Sequence, residues 1–306
     1  MFTFFKSIWI KRQIMTIAIF GSPYPEHFTK YIQHLVKKLE SEHIKIIVEE
    51  EFYVFLQNNI RLTNKKATFN SYESLKENAD FLLSIGGDGT LLKAVTFVRE
   101  SNIPIMGINT GRLGFISSIS AGQIDDAIND ILKRNFIINE RALLELTTEN
   151  NLFKEKNFAL NEVAISKKDT SSMIRIDAFV DDEFLNTYWA DGLVISTPTG
   201  STGYSLSCGG PIIMPGTNNI IVTPNAPHNL NVRPIVLNDT SVLKLKVDDR
   251  DQLALVSLDS RSRAFDSDTE LLIKKADFKI KLIQPQDNSF TSTIRNKLMW
   301  GLDKRS

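Results

Sequence analysis

The segment Gly86-Gly87-Asp88-Gly89-Thr90 sets three glycines and a carboxylate between an apolar run, residues 81–85, and a run able to form a helix, residues 91–98. A strand, a glycine turn and a helix start make an anion site. Unpaired backbone N–H groups at a helix N-terminus point outward, and the macrodipole favours negative charge there. Glycine lets a phosphate approach the main chain closely, so Gly86, Gly87, Gly89 and Thr90 are the expected phosphate contacts. Asp88 does not belong in a passive cradle. A carboxylate repels phosphate unless it holds a metal ion or takes a proton, and the combination points to phosphoryl transfer.

A second segment offers many donors with little bulk. Asp191-Gly192 leads into the strand-like run 193–196 and then Thr197-Pro198-Thr199-Gly200-Ser201-Thr202-Gly203-Tyr204-Ser205-Leu206-Ser207-Cys208-Gly209-Gly210-Pro211. Small hydroxyl residues around glycines suit a sugar, a phosphate or an adenine edge, and an ordinary turn cluster has the same composition. Asn161-Glu162 lies inside the apolar stretch 158–165. Such a pair can bracket a ribose diol, the amide donating and the carboxylate accepting, or simply end a surface strand. On a strand the two would face opposite sides. Arg112, in a loop after the run 103–108, could meet phosphate, and Phe115 could stack on a base. His228, in Thr223-Pro224-Asn225-Ala226-Pro227-His228, reads as structural. Walker A spacing is absent, and Gly87-x-Gly89 lacks the third glycine of the dinucleotide fingerprint.

The elements that must position these residues change character midway. Runs 16–20, 44–48, 81–85 and 103–108 read as strands. Between and after them lie helical patterns. Phe28, Tyr31, Ile32, Leu35, Val36 and Leu39 share one helix face, as do Ile124, Ala127, Ile128 and Ile131. Strands alternating with helices imply a parallel, Rossmann-like sheet, and ligands bind such sheets beyond the C-terminal strand ends, where the 86–90 turn sits. From about Leu143 short strand-like runs follow with few helices: 143–147, 158–165, 174–180, 193–196, 220–222, 242–247, 253–258 and 278–283. The expected fold is an α/β domain over 15–140 and a mostly antiparallel β-rich domain over 141–285. The segment 286–306, with Ile294, Leu298 and Leu302 at spacing four, should pack back on the first domain as a short helix.

The chain of 306 residues has room for two ordinary domains. Lys+Arg and Asp+Glu both number 36, so bulk charge gives no reason to expect nucleic acid. The single cysteine, Cys208, excludes an intrachain disulfide and a Cys-based zinc site, and fits a reducing cytoplasm. The four histidines show no metal-ligand spacing. Residues 1–14 have apolar blocks too short to span a membrane and no signal-peptide order. Met15 is the expected start of the folded domain, with 1–14 a flexible extension. No membrane partner is expected.

Taken together and in order, these segments resemble the NAD kinase family. The Gly-Gly-Asp-Gly turn, Asn161-Glu162, the Asp191-Gly192 strand with its Thr-Pro-Thr-Gly-Ser-Thr-Gly-Tyr-Ser loop, and the Pro227-His228 segment before Arg233-Pro234 carry the resemblance from about Met15 to the C-terminus. The turn alone is shared with lipid kinases and phosphofructokinases; the 197–211 loop is more specific. The resemblance implies a β-sandwich-like second domain with NAD between the two domains, and a homo-oligomer, dimer or tetramer. It implies ATP-dependent phosphorylation of the 2′-hydroxyl of the adenosine ribose, giving NADP, with a divalent cation such as Mg²⁺. By the same resemblance Asp88 is the proton acceptor. Gly89, Asn161, Glu162 and Asp191 contact the dinucleotide; Thr202, Gly203, Tyr204, Ser205, Leu206 and Ser207 surround an adenine; Ala226 lines the ribose region; and Lys93 is a further contact. Two departures stand out. Trp189 occupies a position where relatives often place a basic residue, which leaves NAD against NADH preference open. Leu258-Asp259-Ser260-Arg261 stands where many members have an Asp-Gly-Gln turn, so a glutamine contact does not carry over to Arg261. A lipid kinase with an apolar acceptor cleft and a non-catalytic nucleotide-binding regulator are the competing readings.

Overall fold

A computed structural model describes residues 14–111, 114–117, 119–168, 173–248, 253–285 and 289–301. Residues 1–13 of the expected 1–14 extension and the expected phosphate contact of Arg112 lie outside the described residues. The first half runs β1 (Thr16–Gly21), α1 (Thr29–Ser41), β2 (Lys45–Glu49), α2 (Glu50–Asn59), β3 (Ala67–Phe69), α3 (Tyr72–Lys76), β4 (Phe81–Ile85), α4 (Asp88–Val98), β5 (Ile105–Ile108) and α5 (Ile124–Lys133). Its parallel strands lie in the order β5-β4-β1-β2-β3. Strands covered by helices on both faces must be apolar throughout. That is why β1 and β4 read as unbroken apolar runs with no alternation. Along β1, Ile17 and Ile19 join a core built with α1, α2 and α5, while Ala18 and Phe20 join one built with α4 on the other face.

The second half runs β6 (Ile137–Thr147), β7 (Phe158–Ala159), β8 (Glu162–Lys167), β9 (Ile174–Val180), β10 (Glu183–Ala190), β11 (Gly192–Ser196), α6 (Tyr204–Ser207) and β12 (Asn219–Asn225). It continues through β13 (Ile235–Asn238), β14 (Leu243–Asp248), β15 (Leu253–Leu258), β16 (Arg261–Asp266), β17 (Glu270–Gln284) and α7 (Phe290–Leu298). An antiparallel six-stranded sheet, β13-β12-β11-β8-β15-β16, packs on β9, β10, β14 and β17. The alternation of Ile174, Ile176 and Ala178 turns those three side chains into the core between the two sheets. The second sheet layer is not separate from the first half. β17 pairs parallel with β5 at Leu282 and Ile105, so one eleven-stranded sheet crosses the whole chain.

The sequence pattern misses several elements for visible reasons. α2 follows β2 without a breaker, its start marked only by the Glu49 carboxylate accepting the Phe52 N–H at 2.9 Å. β16 is an edge strand with Phe265 as its one buried residue, so it carries no apolar alternation. The expected single strand over 158–165 is interrupted at Leu160-Asn161, with consequences for the site.

Candidate functional site

The turn after β4 stands where the sheet order reverses, with β1, β2 and β3 leading one way from β1 and β4, β5 the other. Ligands bind open α/β sheets at that crevice. Gly86 has φ +151°, and a Cβ there would sit 2.2 Å from Thr90 Oγ1, so only glycine fits. The Ser22 N–H donates to Ile85 O at 3.1 Å and Thr90 Oγ1 lies 3.0 Å from Ser22 Oγ, fixing the turn to the end of β1. Gly87 and Gly89 are exposed and open, with nothing within 4 Å of a Cβ at either. α4 begins at Asp88, one turn earlier than the apolar pattern suggests, and no side chain caps it. Its first N–H groups therefore face outward without a side-chain partner.

Asp88 is aimed by a second loop. Its Oδ2 accepts the Phe115 N–H at 2.8 Å; its Oδ1 accepts those of Ser117 at 2.9 Å and Ile116 at 3.3 Å. The approach is close: a Cβ on Gly114 would stand 1.8 Å from Asp88 Oδ1. A carboxylate has about four lone-pair sites, so three backbone donors leave roughly one, on Oδ2. The loop thus fixes the carboxylate while keeping one acceptor position open.

The second group forms around the break between β7 and β8. Asp259, in the β15–β16 turn with φ 52°, accepts the N–H groups of Leu160 at 3.0 Å, Asn161 at 2.8 Å and Glu162 at 3.2 Å, and its own N–H donates to Glu162 O at 3.0 Å. This turn explains why the strand stops. The backbone donors that would continue the ladder bend to one carboxylate, so Asn161 lies outside the strand and the alternation rule does not separate it from Glu162. Arg261 reinforces the bend: its guanidinium donates to Lys156 O and Phe158 O and stacks over the Phe158 ring. Arg261 is therefore a structural clasp in a position the sequence left without a role. Sequence reasoning passed over Asp259, although a carboxylate at a strand end beside serine and arginine was the available signal.

Asn161 Oδ1 and Glu162 Oε2 are buried without a hydrogen-bond partner, so the pair presents unused acceptors. Burial, and next the charge of Asp259, push the Glu162 carboxyl up to about 7, opposed by a bond from the Tyr204 backbone. The folded chain thus holds this proton more tightly than the unfolded one, with a reference value of 4.5. Stability from the protonated form is present below pH 4.5 and is lost as pH rises through about 7. Thermal melts between these limits should show the wild type losing on the order of 2–3 kcal/mol as pH rises, with Glu162→Gln distinctly flatter. Parallel curves would refute the assignment to Glu162.

The 197–211 loop closes over this pair. Tyr204 heads α6, and its hydroxyl accepts from Asn225 Nδ2 at 3.0 Å. Asp191 pairs with Lys167 at 2.6 Å, and its N–H donates to Asn225 O. Ala226 follows with φ 46°. Asn161, Glu162, Asp191, Gly203, Tyr204 and Ala226 thus belong to one neighbourhood. Ser205 points elsewhere: it is 0% exposed and its Oγ lies 2.9 Å from Thr223 Oγ1. Lys93 is exposed and lines a cavity of about 460 Å³ with Gly21, Ser22, Phe52, Phe55 and Phe97. Ser260 and Arg261 form its far wall, which ties the two groups of residues together through the β15–β16 turn. Among the described residues no set of three His, Cys, Asp or Glu side chains could hold a metal ion by itself.

Known proteins place this arrangement. Residues 17–136 match the family described as ATP-NAD kinase N-terminal domain, and residues 160–285 the one described as ATP-NAD kinase C-terminal domain. The chain is 44% identical over 294 residues to an NAD kinase of Christiangramia forsetii, covering 95% of this chain and 100% of the relative. It is 45% identical over 293 residues to one of Cytophaga hutchinsonii, with the same coverage. An NAD kinase of Archaeoglobus fulgidus solved in complex with ATP superposes with a TM-score of 0.72 at 25% identity, covering 93% of this chain and 99% of that one. Yeast NADH kinase complexed with NADH has the same fold, with a TM-score of 0.83 at 22% identity over 95% of this chain and 89% of that one.

Proposed function

The chain belongs to the ATP-NAD kinase family, and we infer that it phosphorylates NAD with ATP to give NADP, the 2′-hydroxyl of the adenosine ribose attacking and Asp88 taking its proton. The observation that carries the role of Asp88 is its carboxylate, fixed by three backbone donors with one acceptor position left beside the exposed Gly87 and Gly89. As the O–P bond forms, the hydroxyl proton passes to Asp88, the bond from the γ-phosphorus to the β–γ bridging oxygen breaks, and ADP leaves. Positioning and charge neutralisation supply most of the acceleration in such transfers.

NAD lies against Asn161, Glu162, Asp191 and the 202–207 loop, with Ala226 at the ribose. The buried, unpaired acceptors of Asn161 and Glu162 suit ribose hydroxyls. The donor takes the 460 Å³ cavity at the switch point of the sheet, its base among Phe52, Phe55 and Phe97 and its phosphates at the 86–90 turn. Lys93 supports this: it follows Gly89 by one helical turn, and helical side chains lean toward the N-terminus, so its ammonium serves the donor phosphates. Glu49 and Glu51 border the cavity, and they would supplement donor phosphate oxygens around a Mg²⁺ ion, whose contribution would be to neutralise phosphate charge.

Purified protein with ATP, Mg²⁺ and NAD should form NADP in a coupled assay, and parallel runs with NADH fix the preference left open at Trp189. Phosphate entering diacylglycerol but not NAD, or tight NAD binding without turnover, would overturn the reading. Gly114→Ala should lower kcat by about a hundredfold, the effect of moving a catalytic group by about an ångström, with KM for NAD little changed. Undiminished turnover would show that Asp88 need not sit where the loop holds it.

The chain also works as a homo-oligomer, a dimer or tetramer, in the cytoplasm. Exposed Phe184 and Trp189 on β10, Leu230, and Val236 on β13 support self-association. No helix among the described residues is long and apolar enough to cross a membrane.

A further inference from the structure

The side chain of Arg141, on β6, has a buried Nε with no acceptor and makes no hydrogen bond or ion pair with any described residue. Its guanidinium borders a cavity of about 110 Å³ lined also by Thr199, Thr217, Asn218, Lys275 and Lys279. Two carboxylates reach the same space, and both are engaged. Asp239 holds Lys275 at 2.7 Å and Glu140 holds Lys279 at 2.9 Å. Three cations face two anions, and the uncompensated charge is the one on Arg141. Burial lowers its pKa to about 10, which leaves it charged at neutral pH. A buried cation without a partner is costly, and a guanidinium is shaped to take an oxyanion through paired N–H groups.

We propose that Arg141, with the Thr199 hydroxyl and the Asn218 amide, forms a binding site for one phosphate-sized oxyanion, separate from the donor and acceptor sites. The volume selects the ligand. At roughly 30 Å³ per water in the liquid, the space holds about three or four waters, the size of one tetrahedral oxyanion; it falls well short of the roughly 300 Å³ at which pockets for drug-sized ligands begin. The Thr199 hydroxyl and the Asn218 amide supply neutral donors around it, and each carboxylate is engaged by a lysine. Arg141 also borders a smaller cavity, shared with Phe115 and Ile116, whose N–H groups hold Asp88. The site therefore adjoins the loop that aims the base.

The test uses the full chain with NAD and a non-hydrolysable ATP analogue at saturation, so that phosphate cannot act through the substrate cleft. Inorganic phosphate should then raise the melting temperature of the wild type in a saturable way, as any ligand of the folded state does. Arg141→Met should weaken that response by roughly tenfold to a hundredfold, the factor one charged hydrogen bond supplies. In phosphate-free buffer the variant should melt no lower than the wild type, because an unpaired buried charge has gone. A phosphate monoester in place of free phosphate tells whether the site takes the ion alone or the end of a larger molecule. Equal responses in both proteins, or none in the wild type, would overturn the proposal. If Arg141→Met does not fold, Asn218→Leu serves, and an undiminished phosphate response in it is equally damaging. Because NADP formation is measured separately, failure here leaves the catalytic reading untouched.

Discussion

Asp88→Asn should lower kcat by about 10² to 10⁴, the range that general bases contribute, while the protein stays folded. The structure sharpens what accompanies the loss. Asn retains an acceptor oxygen for part of the 115–117 loop, but its amide group faces a backbone donor where a lone pair stood. The folded state should therefore lose only about 1 kcal/mol, one neutral hydrogen bond. A negative charge beside the donor phosphates also disappears, so KM for ATP should hold steady or fall. A drop in kcat without a rise in KM marks an interaction made in the transition state. Steady-state kinetics for both substrates, with a thermal melt, check this. Turnover near the wild-type value would remove Asp88 from the role of base, and a collapse in both kcat and melting temperature would make it a fold residue first.

The second large effect is expected at Asp259. Asp259→Ala leaves the N–H groups of Leu160, Asn161 and Glu162 without their acceptor. Each orphaned buried donor costs about 1–3 kcal/mol. With partial rescue by water the total should be on the order of 3–5 kcal/mol, a large share of a stability of about 5–15 kcal/mol. Denaturant titration reads the stability. Function should report the same bend: KM for NAD should rise far more than KM for ATP, because the acceptors of Asn161 and Glu162 are displaced. Asp259→Asn separates shape from charge. It keeps an acceptor oxygen, so its stability loss should be smaller, but it removes the charge that helps push Glu162 up. The Glu162 pH window should move to lower pH in that variant. An unchanged window would mean that burial alone sets the Glu162 proton affinity.

How much of this was legible in the sequence depended on the range of the cause. Local causes were readable. The apolar offsets of α1 and α5, the unbroken run of β4 and the glycines of the 86–90 turn act within a few residues, and each element forms close to its expected place. The order of motifs was enough to point to the family. Distant causes were not readable. Asp88 is aimed by N–H groups 27 to 29 residues away, and Asn161-Glu162 is bent by a carboxylate 97 and more residues away. Backbone donors have no sequence signature, so nothing marked Phe115, Ile116 or Ser117 as the holders of the base. The walls of the large cavity come from Gly21, Ser22, Phe52 and Phe55, which form no motif and meet only because β1 and β2 end side by side. Arg141 lay just before the expected strand 143–147 and carried no signal until its lack of a partner could be seen.

The eleven-stranded sheet has a consequence for how the chain is made. β5 has β4 on one side; on the other, Ile119 bonds to Gly107 and Asn109, and Ile105 pairs with β17, which is synthesised some 165 residues later. Until that strand emerges, the Ile105 end of this edge stays open, the kind of edge that recruits wrong partners. Contacts of such long sequence separation are slow to form. A ribosome stalled in the second half would therefore display a nucleotide-binding half with its turn and helices in place and its sheet unfinished, a natural client for a chaperone that holds strand edges.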